Sequence, residues 1–275
     1  MSMDFNKIVN KMLKKWWKVL FKEDIFEIID PEKKSKYQNK VDKLIYRLRS
    51  EWIIINLKAG VYIIPDLEDR EMNIVDLTDK YYLKLLKKYI TFYVWSSYYI
   101  SWNKSLEIHN KDFSVPEKVF IINRNINKKI KFLNYEIIFK TISCKKSSSN
   151  SPLLSGSTWK SNINLYSRFS KLSTKKTIES IDFKISCLEL ALVESAIISD
   201  SNNPFDITLI NKTIKKYKKV LNKEIFYEIW KYKYIMSFNR LKELSKNIDK
   251  DLYSIFLDII KKNWGLFIGE WLRGV

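Results

Sequence analysis

Residues 50–65 read SEWIIINLKAGVYIIP. Two runs rich in β-branched and aromatic residues, WIIINL and VYIIP, are split by Lys58-Ala59-Gly60, and Pro65 stops the second. Short runs of this kind joined through a glycine predict a two-stranded β-hairpin. The segment ahead of it is basic and periodic, so the stretch poses a question: what is a hairpin for when it hangs directly behind a basic helix?

Upstream, residues 34–50 place Tyr37, Val41, Leu44, Ile45 and Leu48 on one stripe, with Lys36, Lys40, Lys43, Arg47 and Arg49 largely off it. That spacing predicts an amphipathic helix. Residues 5–21, FNKIVNKMLKKWWKVLF, carry the same periodicity over their whole length. DIFEII at 24–29 reads as a short helix that Asp24 can cap and Asp30-Pro31 ends. Three helices followed by a hairpin is the order of a winged helix-turn-helix, whose third helix enters the DNA major groove while the hairpin lies against the flanking backbone. On this reading residues 1–70 are a DNA-binding domain and the hairpin is its wing. The alternative is a hairpin that only covers a helical core.

The charge of the chain agrees with a polyanionic partner. Its 275 residues carry a formal net charge of +19, which points to nucleic acid first and an anionic membrane second. Only 7 of the 50 basic residues are arginine, and a sequence so rich in Lys, Ile and Asn also fits AT-rich coding. The excess is +4 over residues 1–70, +7 over 71–150 and +8 over 151–275, so charge alone singles out no binding segment. With 46% hydrophobic residues the chain can bury a full core, and with five glycines and five prolines it is poor in the turns of an all-β protein. Cys144 and Cys187 lack a CxxC spacing and read as free thiols. No apolar run approaches the ~18 residues of a membrane span, and the N-terminus lacks a signal-peptide core. The expected location is cytoplasmic, with no membrane partner.

Residues 66–76, DLEDREMNIVD, suit a linker. Beyond it LTDKYYLKLLKKYI predicts a helix, and FYVWSSYYISWNKSLEIHN a short strand running into a helix that ends near Asn110. Strands are expected at about 118–123, 130–133, 135–143 and 178–186, and a helix at 187–198. The Ser-rich stretch 145–162 reads as a loop or insertion. The remainder, DITLINKTIKKYKKVL, KEIFYEIWKYK, SFNRLKELSKNI and KDLYSIFLDIIKK, is helical in period. The expected fold class is α+β: a winged helix-turn-helix over 1–70, then a mixed α/β domain over 77–275 that ends in a helical region.

In this order several segments resemble the AbiEi-type antitoxins, winged-helix transcriptional regulators of type IV toxin–antitoxin pairs. LRSEWIIINLKAGVYIIP (48–65) is similar to that family's helix-to-wing passage. YYISWNKSLEIHNKDFSVPEKVFIINR (98–124) is similar to its strand–helix–strand passage with a His at the helix end. KISCLELALVESAI (184–197), with Glu189 and Glu194, resembles its strand-to-helix stretch, and SFNRLKELSKNI its later helix with an Arg-Leu pair, here Arg240-Leu241. The chain departs from the pattern where the family often has Gly before its Ser-Ala-Leu run; here the residues are Ser101-Trp102-Asn103-Lys104-Ser105-Leu106. The resemblance implies a regulator that represses its own operon. It also implies a C-terminal region that counters a nucleotidyltransferase-like toxin in abortive infection, without needing a stable complex.

No Walker A, GxGxxG, HExxH or GxSxG pattern occurs. With His109 as the one histidine, a nucleophile–His pair has a single place to form, and a cap or packing role suits that residue better. Glu189 and Glu194 lie five apart and do not stack on one helix face. No catalytic residue, metal or cofactor is expected. The candidate DNA-binding residues are Lys33, Lys34, Lys36, Gln38, Asn39, Lys40, Lys43, Arg47 and Arg49 on and before the third helix, with Lys58 at the wing tip. Against Asp42 and Glu51, residues 33–58 net +6. Lysines suit phosphate contacts; Arg47, Arg49, Gln38 and Asn39 are types that also read base edges. A second basic cluster, 212–219, fits a solvated face. The expected partner is duplex DNA of the chain's own promoter, and dimeric binding to repeats fits the modest interface of one winged helix. A nucleic-acid-modifying enzyme built on Glu189, Glu194 or His109, or an RNA-binding adaptor, is the competing reading.

Overall fold

The computed structural model describes residues 5–14, 18–29, 38–147, 158–197, 205–232 and 234–262, with backbone only at 38, 143–147 and 158–165. Among them are eleven α-helices and eleven strands, a mixed α and β fold. The chain divides into two compact units, Met1–Phe92 and Tyr93–Val275.

The first unit runs α1 (Phe5–Leu13), β1 (Val19–Phe21), α2 (Lys22–Ile29), α3 (Gln38–Ser50), β2 (Ile55–Lys58), β3 (Val61–Ile63) and most of α4 (Ile74–Val94). The opening stretch is a hairpin: β2 and β3 pair antiparallel, with a register shift between Asn56 and Lys58, and Gly60 turns at φ +77°. A residue with a Cβ disfavours that conformation, which is why the turn holds glycine.

The periodic segment 5–21 is not one helix. α1 ends at Leu13, and Val19–Phe21 form a third strand that makes the sheet order β1-β3-β2. All three residues of β1 are buried and pair Val19↔Ile63 and Phe21↔Val61, with the Ile64 N–H on the Lys18 carbonyl at 2.8 Å. Satisfying the free edge of β3 outweighs continuing the helical period. Asp24 caps α2 from inside its first turn, accepting from the Phe21 N–H at 2.6 Å. Ile8, Met12, Leu20, Ile25, Val41, Ile45, Leu48 and Tyr62 share one core.

The acidic stretch expected as a linker is folded: Leu67–Glu71 form a 3-10 turn, and Asp69 is fully buried beneath α4. Its carboxylate accepts from Lys80, from the Tyr81 hydroxyl and from the Asp66 N–H.

In the second unit β4 (Tyr98–Ile100) enters α5 (Trp102–His109) through Ser101; then come β5 (Lys118–Asn123), β6 (Lys128–Phe132) and β7 (Tyr135–Lys140). The ends of the Ser-rich segment are a small hairpin, β8 (Ser143–Ser147) with β9 (Thr158–Asn164); residues 148–157 lie outside the described residues. α6 (Leu165–Phe169) precedes β10 (Ser173–Ile178) and β11 (Ile181–Ser186). The single strand expected at 178–186 is therefore the second arm of a hairpin, turned at Glu179 and Ser180 with φ +47° and +64°. The helices α7 (Leu188–Ser195), α8 (Ile207–Tyr217), α9 (Lys223–Trp230), α10 (Ile235–Ser245) and α11 (Lys250–Lys262) follow.

The main sheet is mixed, in order β10-β11-β4-β5-β7-β6, with β11/β4 and β5/β7 parallel. Tyr99, Phe120 and Ile122 on one face of it join Leu190, Leu192, Phe226, Phe238 and Phe256 of the helices in one core. No helix among the described residues is long and apolar enough to cross a membrane.

Candidate nucleic-acid interface

α3 buries Val41, Ile45 and Leu48. At 100° per residue, the direction opposite those three is occupied by Asn39, Lys43, Tyr46 and Ser50, all exposed. Lys40 and Arg47 flank that strip on one side, Asp42 and Arg49 on the other. Tyr46 is 74% exposed, the outermost aromatic ring on the helix.

The flanks are tied into the unit. The Arg47 guanidinium lies 3.7 Å over the Phe5 ring of α1, and its Nε donates to Glu51 at 2.7 Å. Asp42 pairs with Lys22 of α2 at 2.7 Å, which holds the Lys22 ammonium above its ordinary range. Arg49 faces the hairpin. Burial raises the Tyr62 phenol, and the positive charges of Lys22 and Arg49 act against that rise.

The helix stops through its backbone. The Ile53 N–H reaches the Leu48 carbonyl at 2.9 Å and the Trp52 N–H the Arg49 carbonyl at 3.1 Å, a Schellman closure with Trp52 left-handed at φ +55°. Ile53 and Leu48 pack in the same core, the apolar contact that accompanies this motif. The closure turns the chain toward β2, so the hairpin follows α3 after only the four residues 51–54. Lys58 is exposed at its tip.

Of the residues expected to bind DNA, Asn39, Lys40, Lys43, Arg47, Arg49 and Lys58 are exposed around α3 and the hairpin. Lys33, Lys34 and Lys36 lie outside the described residues, as does the side chain of Gln38. Tyr46 and Trp52 are also exposed around α3 and are not among the residues expected from sequence. The sequence signal for Tyr46 is its place three residues beyond Lys43 and opposite the Val41–Ile45–Leu48 stripe, a signal that charge does not carry.

The acids and the histidine of the competing reading are bonded within the second unit. Glu189 accepts from the Asn222 N–H at 2.8 Å, ahead of α9. Glu194 is fully buried and accepts from the Tyr99 and Ser101 hydroxyls, and burial pushes its carboxyl up to about 7. His109 Nε2 meets the Ser186 carbonyl at 2.9 Å, and burial holds its imidazole below the ordinary range. Burial also pushes the free Cys187 thiol up to about 12. In the basic cluster 212–219, Lys216 reaches the Asn110 carbonyl at 3.4 Å and Lys218 pairs with Asp249 at 3.5 Å. No group of acids, histidines and cysteines able to hold a metal ion occurs among the described residues.

Compared with known proteins, the chain matches no family model, and no curated protein matches it in sequence.

Proposed function

We propose that the first unit is a winged helix-turn-helix and that the chain is a sequence-specific DNA-binding regulator. The observation that carries this reading is the exposed strip of α3 passing through a four-residue turn into a hairpin tipped by Lys58. α3 docks in the major groove, the lysines contact phosphates, and the hairpin lies against the flanking backbone. The sequence resemblance extends the reading. The regulator represses its own operon as the cytoplasmic antitoxin of an abortive-infection pair, and it counters a nucleotidyltransferase-like toxin without a stable complex. The mechanism is binding, with no catalytic step.

The test is affinity for the duplex upstream of the chain's own gene against a scrambled duplex, across a salt series. Neutralising about six phosphates gives a slope of about −5 in log K against log salt. Tight binding to the promoter over the scrambled duplex supports the reading; equal, salt-sensitive binding to both removes the regulator from it.

A further inference from the structure

One end of the main sheet in the second unit gathers basic residues around an exposed tryptophan. Trp95 stands in the turn between α4 and β4, 74% exposed and left-handed at φ +52°. On one side of this turn Lys184 of β11 donates to the Ser96 carbonyl at 2.8 Å. On the other, Lys128 at the start of β6 donates to the Tyr93 hydroxyl at 2.8 Å, its ammonium 4.2 Å from the ring centre. The register puts the intervening strand ends on the same edge: Tyr98 faces Asn123, Ile122 faces Lys140, and Phe139 faces Lys128. Exposed Arg124 directly follows β5, and exposed Lys140 closes β7 with its ammonium 5.7 Å from the centre of the Trp102 ring. From β11 to β6 the edge crosses four strand spacings, about 19 Å. Asp182, the acid of β11, is already paired with Lys175 at 2.5 Å.

A left-handed residue in an exposed turn is ordinarily Gly, Asn or Asp, because a bulky side chain is disfavoured there. Burial does not compensate for placing an indole at this position. Trp52 takes the same conformation after α3, but at Trp95 the exposed indole stands on the sheet edge that carries these cations, and that combination points to something the indole does outside the fold. An exposed aromatic face among phosphate-binding cations is the arrangement by which proteins hold unpaired bases.

We propose that this edge is a second nucleic-acid site, independent of α3, that takes single-stranded nucleic acid. One base stacks on Trp95, and Lys128, Lys140, Arg124 and Lys184 hold the phosphates on either side. A paired duplex does not present a free base face, so the site discriminates against it.

The test uses the full chain and fluorescence anisotropy of labelled oligothymidylate and oligouridylate of about ten nucleotides, beside a random duplex. Both single strands bind, and Trp95→Ala weakens them about ten-fold or more, while promoter-duplex affinity is unchanged. Trp95→Gly gives the same loss with an undiminished melting temperature, because glycine suits φ +52°, and Trp95→Phe retains most of the binding. Tighter binding of one oligomer identifies the natural strand as RNA or DNA; either preference supports the site. Wild-type affinity in Trp95→Ala, no binding of either oligomer, or loss of single-strand binding in Lys43→Glu on α3 overturns the proposal. Failure of promoter binding alone bears on α3 and leaves this site standing.

Discussion

The Tyr99 hydroxyl donates to the Glu194 carboxylate at 3.0 Å, joining β4 to α7 across 95 positions of sequence. Glu194 is fully buried, and burial lifts it to about 7 from the ordinary 4.5. Between those values the folded carboxyl keeps a proton that the unfolded one has released. Stability therefore falls as pH rises through that window, by about 3 kcal/mol for this group, and is flat above it. His109, held below 6.5, acts oppositely: its contribution is lost as pH falls beneath that value. Urea melts of wild type and Glu194→Gln at pH 5 and pH 8 separate the two. The variant is expected to lose the descending limb and keep the His109 limb; parallel profiles refute the assignment.

The strip and flanks of α3 separate affinity from stability. Arg47→Ala removes the Phe5 and Glu51 contacts, both half-exposed, and is expected to cost the first unit about 1 kcal/mol. Tyr46→Ala and Lys43→Ala leave the core untouched; thermal melts stay within about 0.5 kcal/mol of wild type. Promoter affinity falls about five-fold or more in each of them. A large loss of stability in Tyr46→Ala contradicts its placement.

Gly60 tests the hairpin turn. A Cβ there would meet the Lys22 Cβ at 4.0 Å, ordinary contact, so the cost of Gly60→Ala is the backbone conformation alone, about 1 kcal/mol. Gly60→Asn is expected to cost less, because asparagine tolerates left-handed φ. Equal denaturation midpoints for Ala and wild type count against the turn.

Asp69 tests the folded acidic stretch. Its desolvation raises the carboxyl, but bonds from Lys80, Tyr81 and the Asp66 N–H outweigh that and hold it below its ordinary value. Asp69→Ala leaves the buried Tyr81 hydroxyl with only the Asp66 carboxylate at 3.4 Å and is expected to cost about 3 kcal/mol. The wild-type contribution is present above 3.8 and lost as pH falls below it. A neutral substitution means the stretch is a plain linker after all.

What the sequence made legible follows from how local each signal is. α5, from Trp102 to the cap at Asn110, and the four C-terminal helices are where periodicity put them, because each buries one stripe. β1 was invisible: Val19-Leu20-Phe21 fits either period, and its partner strand lies some forty residues further on. The β10–β11 turn was hidden because Glu179 and Ser180 take positive φ without the Gly or Asn that would announce it. Trp102 is the same lesson. No Gly stands ahead of Ser105-Leu106, and the left-handed conformation at φ +54° is held by a buried indole 4.6 Å from Phe120. For the exposed strip of α3, residue type showed which positions are basic, but only the direction of Val41, Ile45 and Leu48 showed which ones face out.

That direction also governs how the protein can diverge. Asn39, Lys43, Tyr46 and Ser50 all stand clear of the core cluster of the first unit. A lineage can rewrite these four letters while the scaffold that presents them stays under separate selection. On the proposed function, target preference is then free to drift faster than the fold that carries it.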